Sequence, residues 1–158
     1  LSLLKFIVLP FRIESNRMLF KFNGQYSDAV LPGVNQFTLG GVGRVKAFPS
    51  NEYSASSGAY VSSDLYFNIP DFLNITLSNT SVQNILSPYV YLEGAYGRQS
   101  DSSGDEESIA GWGAGLHFTW GSKISSRLML ASALTDGVGS DKESPGASVF
   151  FEFNYTFN

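Results

Sequence analysis

The 158-residue chain has no cysteine and a single histidine. Without cysteine there is neither a disulfide framework nor a thiolate metal site. With His117 as the lone histidine, a histidine metal cluster is excluded, and no recognisable motif places a base beside a serine nucleophile, so hydrolase chemistry has no support. Charge is also scarce. Charged residues make up 15% of the chain, with a formal balance of −4, which leaves no basic face for nucleic acid. Nor is there a long apolar run. The longest stretch, "LSLLKFIVLPF", is broken by Lys5 and Pro10, is too short to span a bilayer as a helix, and lacks the small-residue cleavage site of a signal peptide. If such a chain enters a membrane it does so as a barrel, because only helices and closed barrels satisfy every backbone group in lipid.

What the sequence has in quantity is aromatic residues (15%, with 13 Phe and 8 Tyr) and 16 glycines. The hydrophobic period is two almost everywhere, the period of strands with one apolar and one polar face. In "RMLFKFNGQY", Met18, Phe20, Phe22 and Tyr26 oppose Lys21, Asn23 and Gln25. In "YVSSDLYFNI", Val61, Leu65, Phe67 and Ile69 oppose Ser62, Asp64, Tyr66 and Asn68. In "IAGWGAGLHFTW", Trp112, Ala114, Leu116, Phe118 and Trp120 share one face, and Gly111, Gly113, Gly115, His117 and Thr119 the other. The two tryptophans are separated by about 26 Å along a strand, or roughly 20 Å along a membrane normal at about 40° of tilt. That is close to the apolar band between two aromatic girdles, so Trp112 and Trp120 are girdle candidates. "SRLMLASAL" sets Leu128, Leu130 and Leu134 against Arg127, Met129 and Ala133. In the last segment Val149, Phe151, Phe153, Tyr155 and Phe157 point one way, and Phe150, Glu152, Asn154 and Thr156 the other.

Seven strands are predicted, near residues 3–13, 17–27, 58–69, 87–98, 108–120, 125–135 and 147–157. "GSK" reads as a tight turn, and "QSDSSGDEES" and "DGVGSDKESPG" as polar surface loops. The segment 71–86 reads either as one more strand or as an extended turn. The acids Asp101, Asp105, Glu106 and Glu107 lack a calcium-loop spacing and read as a solvated loop. "GVGR" has no G-K-[ST] ending and no following helix, which argues against a phosphate loop.

One longer stretch carries a resemblance. "GQYSDAVLPGVNQFTLGGVGRVKAFPSNEYSASSGAYVSSDLYFNIP", followed by "SPYVYLEGAYGR", resembles the C-terminal barrel of the two-partner secretion transporters (TpsB), the haemolysin secretion and activation proteins of the outer-membrane assembly superfamily. In that family L-G-G, three residues and then V-R-G-F/Y lie at the tip of a long loop folded back into the barrel lumen. Here Leu39, Gly40 and Gly41 precede Val45, Lys46, Ala47 and Phe48 at that spacing. The family arginine pairs with an aspartate in a wall motif like P-Y-x-F-x-D-x-G. The matching run is Pro88, Tyr89, Val90, Tyr91, Leu92, Glu93, Gly94 and Ala95, so arginine has become Lys46 and aspartate Glu93, a matched exchange if the two face each other. Period two by itself puts Glu93 on the side of Tyr89 and Tyr91. The terminal Phe153, Tyr155 and Phe157 resemble the C-terminal insertion signal of outer-membrane barrels, with Asn158 as one residue beyond it.

The resemblance implies an all-β fold, a transmembrane antiparallel β-barrel. Residues 1–158 are expected to be the C-terminal strands of a sixteen-stranded barrel, with a lumenal loop over about 28–57. A complete eight-stranded barrel is the alternative, which needs residues 71–86 as its eighth strand and has a lumen too narrow for an inserted loop. The implied function is non-enzymatic translocation of an unfolded partner exoprotein across the outer membrane of a Gram-negative bacterium. The Val45–Phe48 tip would act as plug, with no cofactor and no metal. Outer-membrane lipid, lipopolysaccharide and the barrel-assembly machinery are the further expected partners. Competing expectations are a small structural or adhesive barrel, the barrel of an assembly factor, and the barrel of an autotransported enzyme.

Overall fold

The computed structural model describes residues 1–8, 16–50, 53–70, 75–77, 80–100, 105–137 and 145–157. Its strands, in chain order, are β1 (Ser2–Val8), β2 (Arg17–Gln25), β3 (Phe37–Thr38), β4 (Ser54–Ala55), β5 (Ser57–Tyr66), β6 (Thr76–Leu77), β7 (Thr80–Ser81), β8 (Leu86–Arg98), β9 (Glu106–Trp120), β10 (Ile124–Ala133) and β11 (Ser148–Tyr155). One helical turn, α1 (Val82–Ile85), precedes β8. Seven of the strands form a single sheet in the order β1-β2-β5-β8-β9-β10-β11, and every neighbouring pair is antiparallel. Among the described residues β1 and β11 do not pair with each other, so the sheet is open, as part of a barrel is.

The alternation in the sequence fixes which face each side chain takes. On β5, Tyr60, Ser62, Asp64 and Tyr66 are buried, and on β8 so are Tyr89, Tyr91, Glu93 and Ala95. The opposite face exposes Val61, Val90, Leu92, Trp112, Leu116, Trp120, Leu128, Leu130, Val149, Phe151, Phe153 and Tyr155. A sheet that buries serine and carboxylates while presenting leucine, tryptophan and phenylalanine outward inverts the arrangement of a water-soluble sandwich. It matches a barrel wall facing lipid. No helix among the described residues is long and apolar enough to cross a membrane.

The seven expected strands are present, with ends that differ by one to a few residues. Residues 9–13 of the first expected strand lie outside the described residues. Ile69, expected on the apolar face of its strand, lies beyond the end of β5 and is buried. Within 71–86 the described residues form the short pair β6–β7 and α1, and none before Leu86, the first residue of β8, joins the large sheet, while 71–74 and 78–79 lie outside the description. The short turn between β9 and β10 begins at Gly121, whose φ of 59° is a left-handed value that suits glycine.

Register then sets the scene for the site. Lys21, Ser62, Glu93, Gly111 and Ala133 lie side by side across five strands of the sheet. Above this row lie Tyr60, Ala95 and Ile109, and below it Asp64, Tyr91 and Gly113. The main apolar core is the seam between this inner face and the segment between β2 and β5, where Phe37, Leu39, Val45, Ala47 and Phe48 pack with Tyr60, Tyr91, Ala95 and Ile109.

Candidate functional site: the loop tip and its seat on the wall

The segment between β2 and β5 is long and polar at its start, yet it is internally ordered by its own backbone. β3 and β4 pair Phe37 with Ala55 and Thr38 with Ser54, which narrows the loop to a hairpin neck. Beyond the neck the amide of Val45 donates to the carbonyl of Leu39 (3.1 Å), and the amide of Gly41 reaches the carbonyls of Val45 (3.1 Å) and Phe48 (2.9 Å). Gly41 has φ 110°, and a Cβ there would collide with Ser50; a Cβ on Gly40 would collide with the carbonyl of Pro49. The paired glycines are therefore what allows the chain to fold onto itself so tightly. The result is a compact tip in which Leu39, Val45, Ala47 and Phe48 are buried while Val42 is exposed.

Lys46 leaves this tip toward the wall. Its ammonium lies 2.6 Å from Oε2 of Glu93, and its backbone amide donates to Oε1 of the same carboxylate at 2.5 Å. The hydroxyl of Tyr60 donates to Oε2 over a longer 3.4 Å, and the Lys46 ammonium sits 4.5 Å from the centroid of the Tyr91 ring. The Glu93 side chain is 0% exposed and that of Lys46 11%, so the pair is desolvated. A buried carboxylate costs several kcal/mol unless its oxygens are hydrogen-bonded and a counter-charge is present. Both conditions are met here by one residue of the loop, through its main chain and its side chain together. A second ion pair belongs to the wall alone, with Lys21 Nζ 2.7 Å from Asp64 Oδ2, and Oδ1 accepts from the Ser62 hydroxyl at 3.2 Å.

Glycine shapes the seat. Glu93 pairs across the sheet with Gly111, and a Cβ on Gly111 would lie 3.1 Å from Val45 Cγ1 and 3.4 Å from Ala47 Cβ. Gly97 likewise stands beneath Leu39, Ala55 and Tyr53, and Gly58 beneath Phe37. Below the seat the same glycine stripe is covered differently, because Tyr91 lies over Gly113 and Tyr89 over Gly115, where an added Cβ would overlap the rings. Tyr89 also stacks on Tyr66, with ring centroids 4.9 Å apart.

The remaining sequence-derived candidates lie away from this seat. Trp112 and Trp120 occupy the outer face of β9, and Phe118 stacks on Trp120 at 6.4 Å. Phe153, Tyr155 and Phe157 are exposed at the end of the chain, with an edge-to-face contact of 4.6 Å between the last two. Asn158 and Asp101 lie outside the described residues. His117 is on the inner side, its ring nitrogen 3.2 Å from the Ser125 hydroxyl. Sequence reasoning did not single out Tyr60, the Lys21–Asp64 pair or the seating role of Gly58, Gly97 and Gly111. The glycine alternation of "GWGAG" facing a strand of inward tyrosines was the available signal.

A family model described as the haemolysin secretion/activation protein ShlB/FhaC/HecB matches residues 7–118, which include the loop, its tip and the Glu93 wall strand. The chain belongs to this family. Its members are two-partner secretion transporters of the Gram-negative outer membrane, protein transporters rather than enzymes, and the family implies a secreted partner exoprotein. No curated protein and no solved structure matches the chain.

Proposed function

We propose that the chain forms part of a barrel that passes an unfolded exoprotein across the outer membrane, and that the 28–57 loop acts as its plug, latched by Lys46 on Glu93. The supporting observation is the buried carboxylate of Glu93, whose counter-charge comes from the loop and not from the wall. A wall residue that served the barrel alone would be paired within the sheet, as Asp64 is with Lys21. When the tip leaves, the carboxylate becomes accessible to water in the lumen, so undocking is feasible where a permanently dry ion pair would not separate. Outward Trp112 and Trp120 serve as girdle residues toward lipid and lipopolysaccharide, and Phe153, Tyr155 and Phe157 as the signal read by the barrel-assembly machinery.

The test is a tether. An ideal Cβ on Gly111 lies 3.4 Å from that of Ala47, close to the spacing of about 3.5–4.5 Å found in disulfides. Ala47→Cys with Gly111→Cys, introduced in the full-length protein, should stop secretion of the exoprotein under oxidising conditions and release it on reduction. Undiminished secretion with the tether closed would refute the plug.

A further inference from the structure

The loop tip carries a second cation that the Lys46 contact does not explain. The guanidinium carbon of Arg44 lies 4.7 Å from the centroid of the Phe37 ring and 5.6 Å from that of Tyr60. Its Nη1 donates to the carbonyl of Gly43 at 3.1 Å, while Nε is buried without a hydrogen-bond partner. Among the described residues no carboxylate lies within ion-pair distance of it. A buried guanidinium nitrogen lacking an acceptor is unfavourable, and the aromatic faces are the compensating interaction on hand. The planar, weakly hydrated guanidinium stacks on rings in a way that an ammonium does not.

The two rings come from different places. Phe37 is in β3, at the neck of the loop, and is seated over Gly58 of the wall; Tyr60 is in β5, and its hydroxyl is the one that donates to Glu93. Arg44 therefore joins the loop to the wall through Tyr60, and the same ring reaches the carboxylate that Lys46 occupies two residues further along the chain. We infer that Arg44 is a positioning residue: its guanidinium, lying over the rings of Phe37 and Tyr60, holds the tip in register with Glu93 and forms a second attachment of the loop to the wall beside the Lys46 contact. This rests on the loop acting as plug, and it divides the latch into an ionic half and an aromatic half.

The experiment uses the Ala47→Cys, Gly111→Cys pair in full-length protein in outer membranes, reading the yield of disulfide under brief mild oxidation, with single-channel conductance recorded in parallel. Arg44→Ala should lower the trapping yield roughly fivefold although Lys46 and Glu93 are intact, and Arg44→Lys should recover part of it. Tyr60→Phe and Tyr60→Leu both lose the hydroxyl bonded to Glu93, so the ring is read from their difference: Tyr60→Leu should trap less than Tyr60→Phe by about the Arg44→Ala loss, with no further loss when combined with Arg44→Ala. Parental trapping by Arg44→Ala, or a loss that adds to that of Tyr60→Leu, would overturn the inference. Heat-modifiability of each variant on gels confirms a folded barrel, and the Tyr60 pair keeps the test decisive if Arg44→Ala does not assemble. The parallel recording separates the two ideas: reduced trapping at unchanged conductance retains Arg44 as a positioning residue and refutes gating by the plug.

Discussion

Lys46→Met keeps most of the apolar stem of the side chain and removes the charge together with its hydrogen bond to Oε2 of Glu93. Glu93 is then left as a carboxylate with a 0% exposed side chain, the residue-46 amide and the long Tyr60 hydrogen bond. Removing one partner of a buried ion pair costs about 3–5 kcal/mol, and at about 1.4 kcal/mol per decade the docked-to-undocked ratio should fall by roughly a hundredfold to a few thousandfold. In planar bilayers this appears as a rise in open probability of the full-length protein. Lys46→Glu and Glu93→Lys should each do the same, and the double reversal should close the channel again, but incompletely. The reversed pair restores the Coulombic attraction while leaving the residue-46 amide facing an ammonium, an unsatisfied donor that costs about 1–3 kcal/mol. The closed fraction of the parent should also change little between low and high salt, since a desolvated pair is weakly screened. Additive effects in the double reversal, or a latch that loosens steeply with salt, would refute the argument that one buried contact holds the tip.

Gly111→Leu should evict the tip: a Cβ there makes only tight contacts, 3.1 Å from Val45 and 3.3 Å from the Ser132 carbonyl of the wall, but the rest of the side chain claims the space of the loop; raised conductance with heat-modifiability close to that of the parent is the expected result. Gly113→Val should do the opposite, since its Cβ would collide with the carbonyl of Leu130 and the Tyr91 ring, so the wall must shift and the folded band should be lost at a lower temperature on unboiled gels. Leu116→Arg, midway between the two tryptophans on the outer face, should cost about 2–4 kcal/mol of membrane stability and reduce the amount of assembled barrel, read as the heat-modifiable fraction.

Strands were legible because a barrel wall has two unlike solvents, and a period of two therefore separates leucine and tryptophan from serine, aspartate and glycine with little ambiguity. The segment 71–86 was not, because β6, β7 and α1 are too short for any period to register. At the site, the spacing from Leu39 to Phe48 and the parity of Glu93 were visible in one dimension. The Tyr60 hydroxyl and the approach of Arg44 to the Phe37 and Tyr60 rings were not, because they depend on where a folded loop meets a strand many residues away. Local sequence reports the face of a side chain, but not which part of the chain covers it.

That distinction gives the glycines of β9 their meaning. Gly111, Gly113 and Gly115 are equivalent by pattern, yet the first faces Glu93 and the other two face Tyr91 and Tyr89. A tyrosine on the neighbouring strand can fold its ring over a glycine, and where it does so the wall is closed by its own side chains. A glutamate cannot cover the gap, so the hollow at Gly111 remains for a visitor, and Val45 and Ala47 fill it as Lys46 meets the carboxylate. Of these three glycines of β9, Gly111 alone is left for the loop to fill, as the loop also fills the space over Gly58 of β5 and Gly97 of β8. A ring in place of Glu93 should abolish docking even with Lys46 present, because it would close the hollow as well as remove the charge. Glu93→Tyr is therefore expected to open the channel more fully than Glu93→Gln, which removes the charge and keeps the hollow. Equal open probabilities for the two variants would show that charge alone seats the tip.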